Sequence, residues 1–296
     1  MDAKIERKLQ IAAAGGHGVL AVRPRGIDAE PLGRAMAAIM PPLDEVEAEE
    51  VSALYAGAGT EETFHAGGAR PFRKVAPPAT IRDLVGGGKA FTPGEASLAH
   101  GGVLMVDDLH GFSPATVLSL RYPFEYGEVR IVRADGCKTL PTRFGLLAAT
   151  DPCPCGRYGA SEQPCSCSEE RVSVWRRRLG GSLSDLLPIR IDLGGAVEPM
   201  TDVRAASLRA SVCAAREFRR RREGRETLEY RAWREAHACD SAFGPDEILF
   251  CMQACADGEL DDAKLKRILP VARTIADLAG HEMVRVADIR EALEIS

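Results

Sequence analysis

No apolar run in this 296-residue chain approaches the length needed to span a membrane. The opening Met1-Asp2-Ala3-Lys4 does not read as a signal peptide. An excess of positive charge is also missing. The 38 lysines and arginines stand against 43 acids, a formal net charge of −5. The surface as a whole therefore cannot serve as a nucleic-acid-binding surface, and any basic patch must be local. Internal repeats and long low-complexity stretches are absent as well. These absences lead to the expectation of a cytoplasmic protein with no membrane partner. Nine cysteines, an odd number, without an export signal read as thiols or metal ligands rather than disulfides. With 45% hydrophobic and 27% charged residues the composition is that of an ordinary globular protein. The length is enough for a large core and two domains.

What is present is dominated by Val103 to Val106, an apolar run that leads straight into Asp107 and Asp108. Such a run predicts a buried parallel strand delivering two carboxylates at its C-terminal end, where open α/β sheets bind ligands. A second apolar strand, Leu146 to Thr150, ends in Asp151. Further strands are expected at 18–22 and 189–193, with a hairpin of 128–133 and 139–144. Helices are expected at 6–14, 29–40, 43–56 and 112–124, with a glycine-rich loop at 86–94. Beyond Pro199 the pattern turns to helices only, near 201–223, 226–237, 245–256, 260–279 and 285–294. This order predicts an α/β core over residues 1–200 and an all-helical lid over 201–296.

With these segments in view, the chain resembles the magnesium-chelatase-like AAA+ ATPases, in particular their ComM/YifB group. The resemblance is carried by IAAAGGH at 11–17, RPFR at 70–73, LVGGG at 84–88, PGEASLAHGGVL at 93–104, GEVRIVRA at 127–134, AATDPCPCG at 148–156, RIDL at 190–193 and VARTIADLAG at 271–280. It implies a P-loop NTPase-like AAA+ core with a parallel sheet, a helical lid and a hexameric ring. It also implies a role around DNA, such as ATP-driven branch migration in recombination and transformation. Relatives usually carry an additional N-terminal domain resembling a Lon protease fold. This chain is expected to start just after it, as a fragment or a natural short form.

In that family a G-P-P-G-[ST]-G-K-[ST] loop follows the first strand, and its backbone, lysine and hydroxyl hold phosphates and Mg²⁺. The equivalent residues here are Arg23-Pro24-Arg25-Gly26-Ile27-Asp28-Ala29-Glu30, of which only Pro24 and Gly26 match. Ala29 replaces the lysine, Glu30 the hydroxyl residue and Asp28 a glycine. A like-charge pair 4 Å apart costs about 1 kcal/mol in bulk water and about 4 at an effective dielectric near 20, so Mg-ATP binding is expected to be strongly weakened. Asp28 is expected to cap the following helix and Glu30 to lie in its first turn. The rival reading has Arg23 or Arg25 replace the lysine from another direction.

The resemblance further places Asp107 as the Mg²⁺-holding acid and Asp108 as a shortened catalytic glutamate. Asp151 stands for the sensor asparagine and Ala263 for the lid arginine. Arg190 matches an arginine that reaches into the neighbouring subunit's site, while a plain strand-end pair with Asp192 remains equally open. Cys153, Cys155, Cys165 and Cys167, spaced C-x-C-x₉-C-x-C, suit a structural zinc site, with unliganded thiols or a redox disulfide as alternatives. The remaining cysteines, Cys137, Cys213, Cys239, Cys251 and Cys255, read as small buried hydrophobes. Arg130, Arg133 and Lys138 on the hairpin are candidate DNA contacts, as are the arginines between 216 and 225 and Trp175-Arg176-Arg177-Arg178. Three functions follow. The first is a pseudo-ATPase acting as scaffold or regulatory subunit in a DNA-processing assembly. The others are an active branch-migration motor with an altered phosphate loop, and a zinc-stapled DNA-binding module.

Overall fold

The computed structural model describes residues 1–296 apart from Glu61, Lys89, Asp135, 160–163, 180–183, 224–242 and Glu259. The expected helix at 226–237, with Arg225 and Cys239, lies outside the described residues. Seven strands are described, β1 (Val19–Val22), β2 (Phe72–Val75), β3 (Val103–Val106), β4 (Glu128–Arg133), β5 (Gly136–Pro141), β6 (Gly145–Thr150) and β7 (Ile189–Asp192). Five of them form one parallel sheet in the order β2-β3-β6-β1-β7, and β4 pairs with β5 as a separate antiparallel hairpin. The register sets Val22 beside Thr150 and Asp192, and Val75 beside Val106. The C-terminal ends of these strands therefore open on one side of the molecule, at the crevice where such sheets take ligands.

Strands β3 and β6 are buried along their whole length, as expected of strands covered by helices on both faces. Their side chains alternate between two cores. Val103, Met105, Leu147 and Ala149 enter a large cluster. Leu104, Val106, Leu146 and Ala148 enter another, with Leu109, Phe112, Val117, Leu120, Phe124 and Phe144.

The large cluster is built by α1 (Ala3–Gly15), α2 (Glu30–Ile39), α9 (Asp202–Glu223) and the last helices of the chain. Helix α1 starts at Asp2, whose carboxylate accepts from Lys4 N–H, and stops at Gly16, whose left-handed backbone (φ +73°) returns its N–H to Ala12 O. After α9 come α10 (Pro245–Ala256), α11 (Asp262–Leu278) and α12 (Val286–Ile295). Ile268, Val271, Ile275, Ile289 and Ala292 from α11 and α12 join Leu9 and Ile11 of α1 in that one cluster. Packing is thus continuous across residue 200, where strand-containing chain gives way to helices.

Several elements differ from expectation. The helix anticipated over 112–124 is divided into α6 (Pro114–Leu118) and α7 (Arg121–Tyr126). Pro123 has no N–H to return to Ser119 O, so the hydrogen-bond ladder cannot run through. Strand β5 lies three residues earlier than expected, because Arg133 pairs with Gly136. Residues 142–144 are diverted elsewhere: Thr142 N–H donates to Gly127 O, and Arg143 N–H donates to His100 Nδ1. Strand β2, at the sheet edge with Arg73 and Lys74 in its middle, lacks the apolar run that announces its neighbours. The remaining helices are α3 (Glu45–Gly57), α4 (Ile81–Val85), α5 (Glu95–Leu98) and α8 (Glu169–Leu179).

Candidate nucleotide site and cysteine centre

The turn after β1 begins with Arg23, whose N–H donates to Thr150 O of the neighbouring strand. Gly26 has φ +90°, as a tight loop requires. Helix α2 is capped by Ala29 rather than by Asp28, without a side-chain cap bond. The Asp28 carboxylate nevertheless accepts from Glu30 N–H at 2.9 Å. One of the helix-start donors that would face a phosphate is thereby taken by the chain itself.

Around this turn the sequence-predicted acids are gathered and paired. Arg23 donates to Asp107 Oδ1 at 2.7 Å and stands 3.6 Å from Asp151, while Arg25 stands 3.5 Å from Asp151. Lys74, which the sequence reading passed over, reaches from β2 to Glu30 at 3.2 Å, Asp107 at 3.3 Å and Asp28 at 3.6 Å. A signal existed: Lys74 adjoins RPFR one residue before the end of its strand, and every parallel strand ends on the same side. Burial alone would raise the Asp107 carboxyl, but the Arg23 hydrogen bond and charge, joined by Lys74, hold it below the usual carboxylate range. Hydrogen bonds from Arg34 and then Lys74 hold Glu30 low as well. Burial disfavours the charged Lys74, yet Glu30 and Asp107 outweigh it and keep the ammonium above its ordinary value.

Asp108 is exposed and held at φ +50°, ψ +59°, a strained backbone for a non-glycine residue. Behind it, His110 stacks on Trp175 with ring centroids 3.7 Å apart. His110 Nε2 meets Trp175 O at 3.0 Å and its Nδ1 meets Thr150 Oγ1 at 2.5 Å. Because a carbonyl only accepts, Nε2 carries the proton to Trp175 O. Trp175 Nε1–H donates to Asp151 O. Arg23, Arg25, Asp108, His110, Gly111, Asp151 and Trp175 line an open pocket of about 350 Å³.

Arg190 lies in β7, half-buried, and forks onto Asp192 at 2.7 and 2.9 Å; this is the strand-end pair. Ala263 is exposed in the first turn of α11.

The four cysteines converge. Cys153 Sγ lies 3.3 Å from Cys155 Sγ and 3.6 Å from Cys165 Sγ, and the sulfurs of Cys153, Cys155, Cys165 and Cys167 all fall within 4.8 Å of one another. A tetrahedral ion with metal–sulfur bonds near 2.3 Å needs its sulfurs about 3.8 Å apart, so the group could hold a metal ion. Backbone N–H groups at Ser166 and then Arg157 point at Cys155 and draw its thiol down to about 5. At Cys165 the Cys167 N–H favours the thiolate, but burial and the neighbouring sulfurs prevail and push the thiol up to about 12. Four sulfurs this close carry a full set of negative charge only around a cation. The cysteine turn also touches the phosphate loop. Gly156, at φ +74°, accepts from Arg25 N–H through its carbonyl, and a Cβ there would lie 2.5 Å from Arg25 Cβ.

The hairpin residues do not form one patch. Cross-strand partners share a face, so Arg133 and Lys138 lie on the side of Val129, Ile131 and Leu140, which leans on Leu54 of α3. Arg130 lies on the opposite side with Val132, 74% exposed, and Cys137. Cys137 is exposed rather than buried, and Cys213, Cys251 and Cys255 are half-buried. The arginine run of α9 is divided too. Arg216 donates to Ala13 O, Arg219 is buried and Arg222 pairs with Asp277, whereas Arg220 and Arg221 are exposed beside Glu217. Arg176 stacks over Tyr158.

The chain is similar in sequence to known proteins. The sequence profile described as magnesium chelatase, subunit ChlI, matches residues 2–202, and that of the subunit ChlI C-terminal region matches residues 203–296. Competence protein ComM of Haemophilus influenzae is 32% identical over 97% of the chain. The uncharacterized proteins YifB of Salmonella typhimurium and Escherichia coli are 31% and 30% identical over 97% of it. The chain spans 57% of the length of each of these relatives. From the parallel sheet with its helical C-terminal region to the two matched profiles that span almost all of it, the chain belongs to the magnesium chelatase subunit ChlI family, alongside ComM and YifB.

Proposed function

We propose that this chain is a pseudo-ATPase of its family, acting as a scaffold or regulatory subunit in a DNA-processing assembly. The observation that carries this reading is the ion-pair network at the phosphate loop. Arg23 and Lys74 are engaged by Asp107, Asp151, Asp28 and Glu30. The residues present do not suit Mg-ATP. A nucleotide would add negative charge to a site where Asp28 and Glu30 already stand, and Ala29 offers no ammonium. To bind, it would have to draw Arg23 or Lys74 away from carboxylates such as Asp107, leaving each with one cation fewer. Asp108 as base and Asp151 as sensor then have no γ-phosphate to act on.

In this reading residues 1–200 form the AAA+ core and 201–296 the lid, and the subunit joins a homo- or hetero-oligomeric ring in the cytoplasm. Arg190 leaves Asp192 to serve a neighbouring subunit's nucleotide. DNA is met by the hairpin through Arg130, Arg133 and Lys138. The cysteine centre holds zinc, which suits four sulfur donors, and staples the turn from Cys153 to Gly156 against the phosphate loop. The donor set fits such a structural ion, and no chemistry is asked of it.

Calorimetric titration of the purified protein with Mg-ATP at moderate salt tests the central claim. No binding up to millimolar nucleotide is expected. Micromolar binding would overturn it in favour of a motor with a rewired phosphate cradle.

A further inference from the structure

Lys74, though exposed to solvent, meets three carboxylates at once. Its Nζ faces Glu30 Oε2, Asp107 Oδ2 and Asp28 Oδ1 at 3.2, 3.3 and 3.6 Å. Those oxygens come from the first turn of α2, the residue after β3 and the turn after β1. The opposite oxygens have their own cations: Arg34 takes Glu30 Oε1 at 2.6 Å, and Arg23 takes Asp107 Oδ1 at 2.7 Å. Glu30 Oε2 and Asp107 Oδ2 thus turn to the ammonium, while Asp28 Oδ1 is shared between it and Glu30 N–H, so that one cation bridges three segments at once. Lys74 reaches them from edge strand β2, whose Val75 pairs with Val106 and so brings the lysine beside the end of β3.

We propose that Lys74 is a resident cation, its ammonium standing where a divalent ion would otherwise join Asp107 to the start of α2. The inference deepens the proposed function and rests on it, together with the reading of Asp107 that the family resemblance implies, as the Mg²⁺-holding acid. A subunit that carries this cation in its own chain keeps the phosphate loop, α2 and β3 joined in every nucleotide condition. It can then present one constant face to a partner. The three carboxylates, relieved of Lys74, form a latent site for a hard divalent ion that prefers oxygen ligands and keeps several of its waters.

Thermal unfolding of the full chain tests this, without chelator or nucleotide, in buffer freed of Mg²⁺ or with millimolar MgCl₂. The wild type is expected to melt at the same temperature in both. Lys74→Met is expected to melt about 3 °C or more lower without Mg²⁺ and to regain most of the loss in Mg²⁺. Lys74→Arg, which keeps the charge, is expected to stay near the wild type and indifferent to Mg²⁺. A Lys74→Met chain that melts like the wild type, or whose loss Mg²⁺ does not reverse, overturns the proposal. Should Lys74→Met not fold without Mg²⁺, the charge-balanced Lys74→Gln/Glu30→Gln chain supplies the answer. It retains Asp28 and Asp107 and must still respond to Mg²⁺, and no response overturns the proposal. Because Mg²⁺ alone is the probe, this outcome is separate from the Mg-ATP titration. Nucleotide binding by the wild type would remove the pseudo-ATPase reading without settling the Mg²⁺ response of Lys74→Met.

Discussion

At the scale of single residues, His100 shows how this chain treats a buried titratable group. It is 1% exposed, and its Nδ1 accepts from Arg143 N–H. Nε2 therefore carries the proton and donates to Glu50 at 2.9 Å. Burial, opposed in part by Glu50 and reinforced by Arg143, holds the imidazole below its ordinary value. Its folded value is the depressed one, so the unfolded chain takes up the proton first as pH falls. The associated stability is whole above about pH 6.5 and drains as pH drops from there toward the folded value. Urea unfolding across that range is expected to show this slope, and His100→Gln is expected to flatten it. The same scale holds the residues on which the proposed loss of nucleotide chemistry rests, Ala29 and Glu30, and Lys74, which sits among the acids of that turn.

At the scale of elements, the cysteine turn and the hairpin each make a distinct forecast. The purified protein is expected to contain about one zinc per chain by elemental analysis, in line with a closed four-sulfur site. Cys155→Ser is expected to lose it. Removal by chelation should lower the melting temperature, because binding energy of a structural ion is folding energy. Arg25 N–H is tied to Gly156 O, so the phosphate loop should gain amide exchange at the same time. For the hairpin, the two faces carry different weight. Arg133 and Lys138 share one side and Arg130 the other. Replacing the pair by alanine is expected to flatten the dependence of log K on log salt for DNA by about 2, against no more than about 1 for Arg130→Ala. Equal effects from both sides would argue against a single strand lying along one face.

For the whole molecule, the shared core decides how the chain melts. Leu9 and Ile11 of α1, Val212 of α9, Ile275 of α11 and Ile289 of α12 belong to one cluster. The C-terminal helices α9, α11 and α12 therefore share the interior of the sheet region, and a single cooperative transition is expected in calorimetry. Leu9→Ala should cost about 2–5 kcal/mol and shift that one transition without splitting it. No described helix is long and apolar enough to cross a membrane. The formal charge of −5 leaves basic surface only in patches, such as those on the hairpin.

The sequence by itself determined the strands β1, β3, β6 and β7, because buried parallel strands read as continuous apolar runs whose ends deliver charged residues. It also carried the motifs by which the family is recognised, since these are a matter of residue identity along the chain. It also pointed to the four cysteines as a group that could hold a metal, with free thiols or a disulfide left open, and the structure brings their sulfurs together. Tertiary structure alone decided what the orphaned acids do. The approach of Lys74 from β2 depends on strand order, and β2 and the loop it serves are more than forty residues apart along the chain. It also decided that Arg133 and Arg130 face opposite ways, through the register of β4 against β5, and that Arg216 and Arg222 of α9 are tied to Ala13 O and Asp277. These placements depend on hydrogen bonds and ion pairs between segments, and residue patterns carry no record of such pairs.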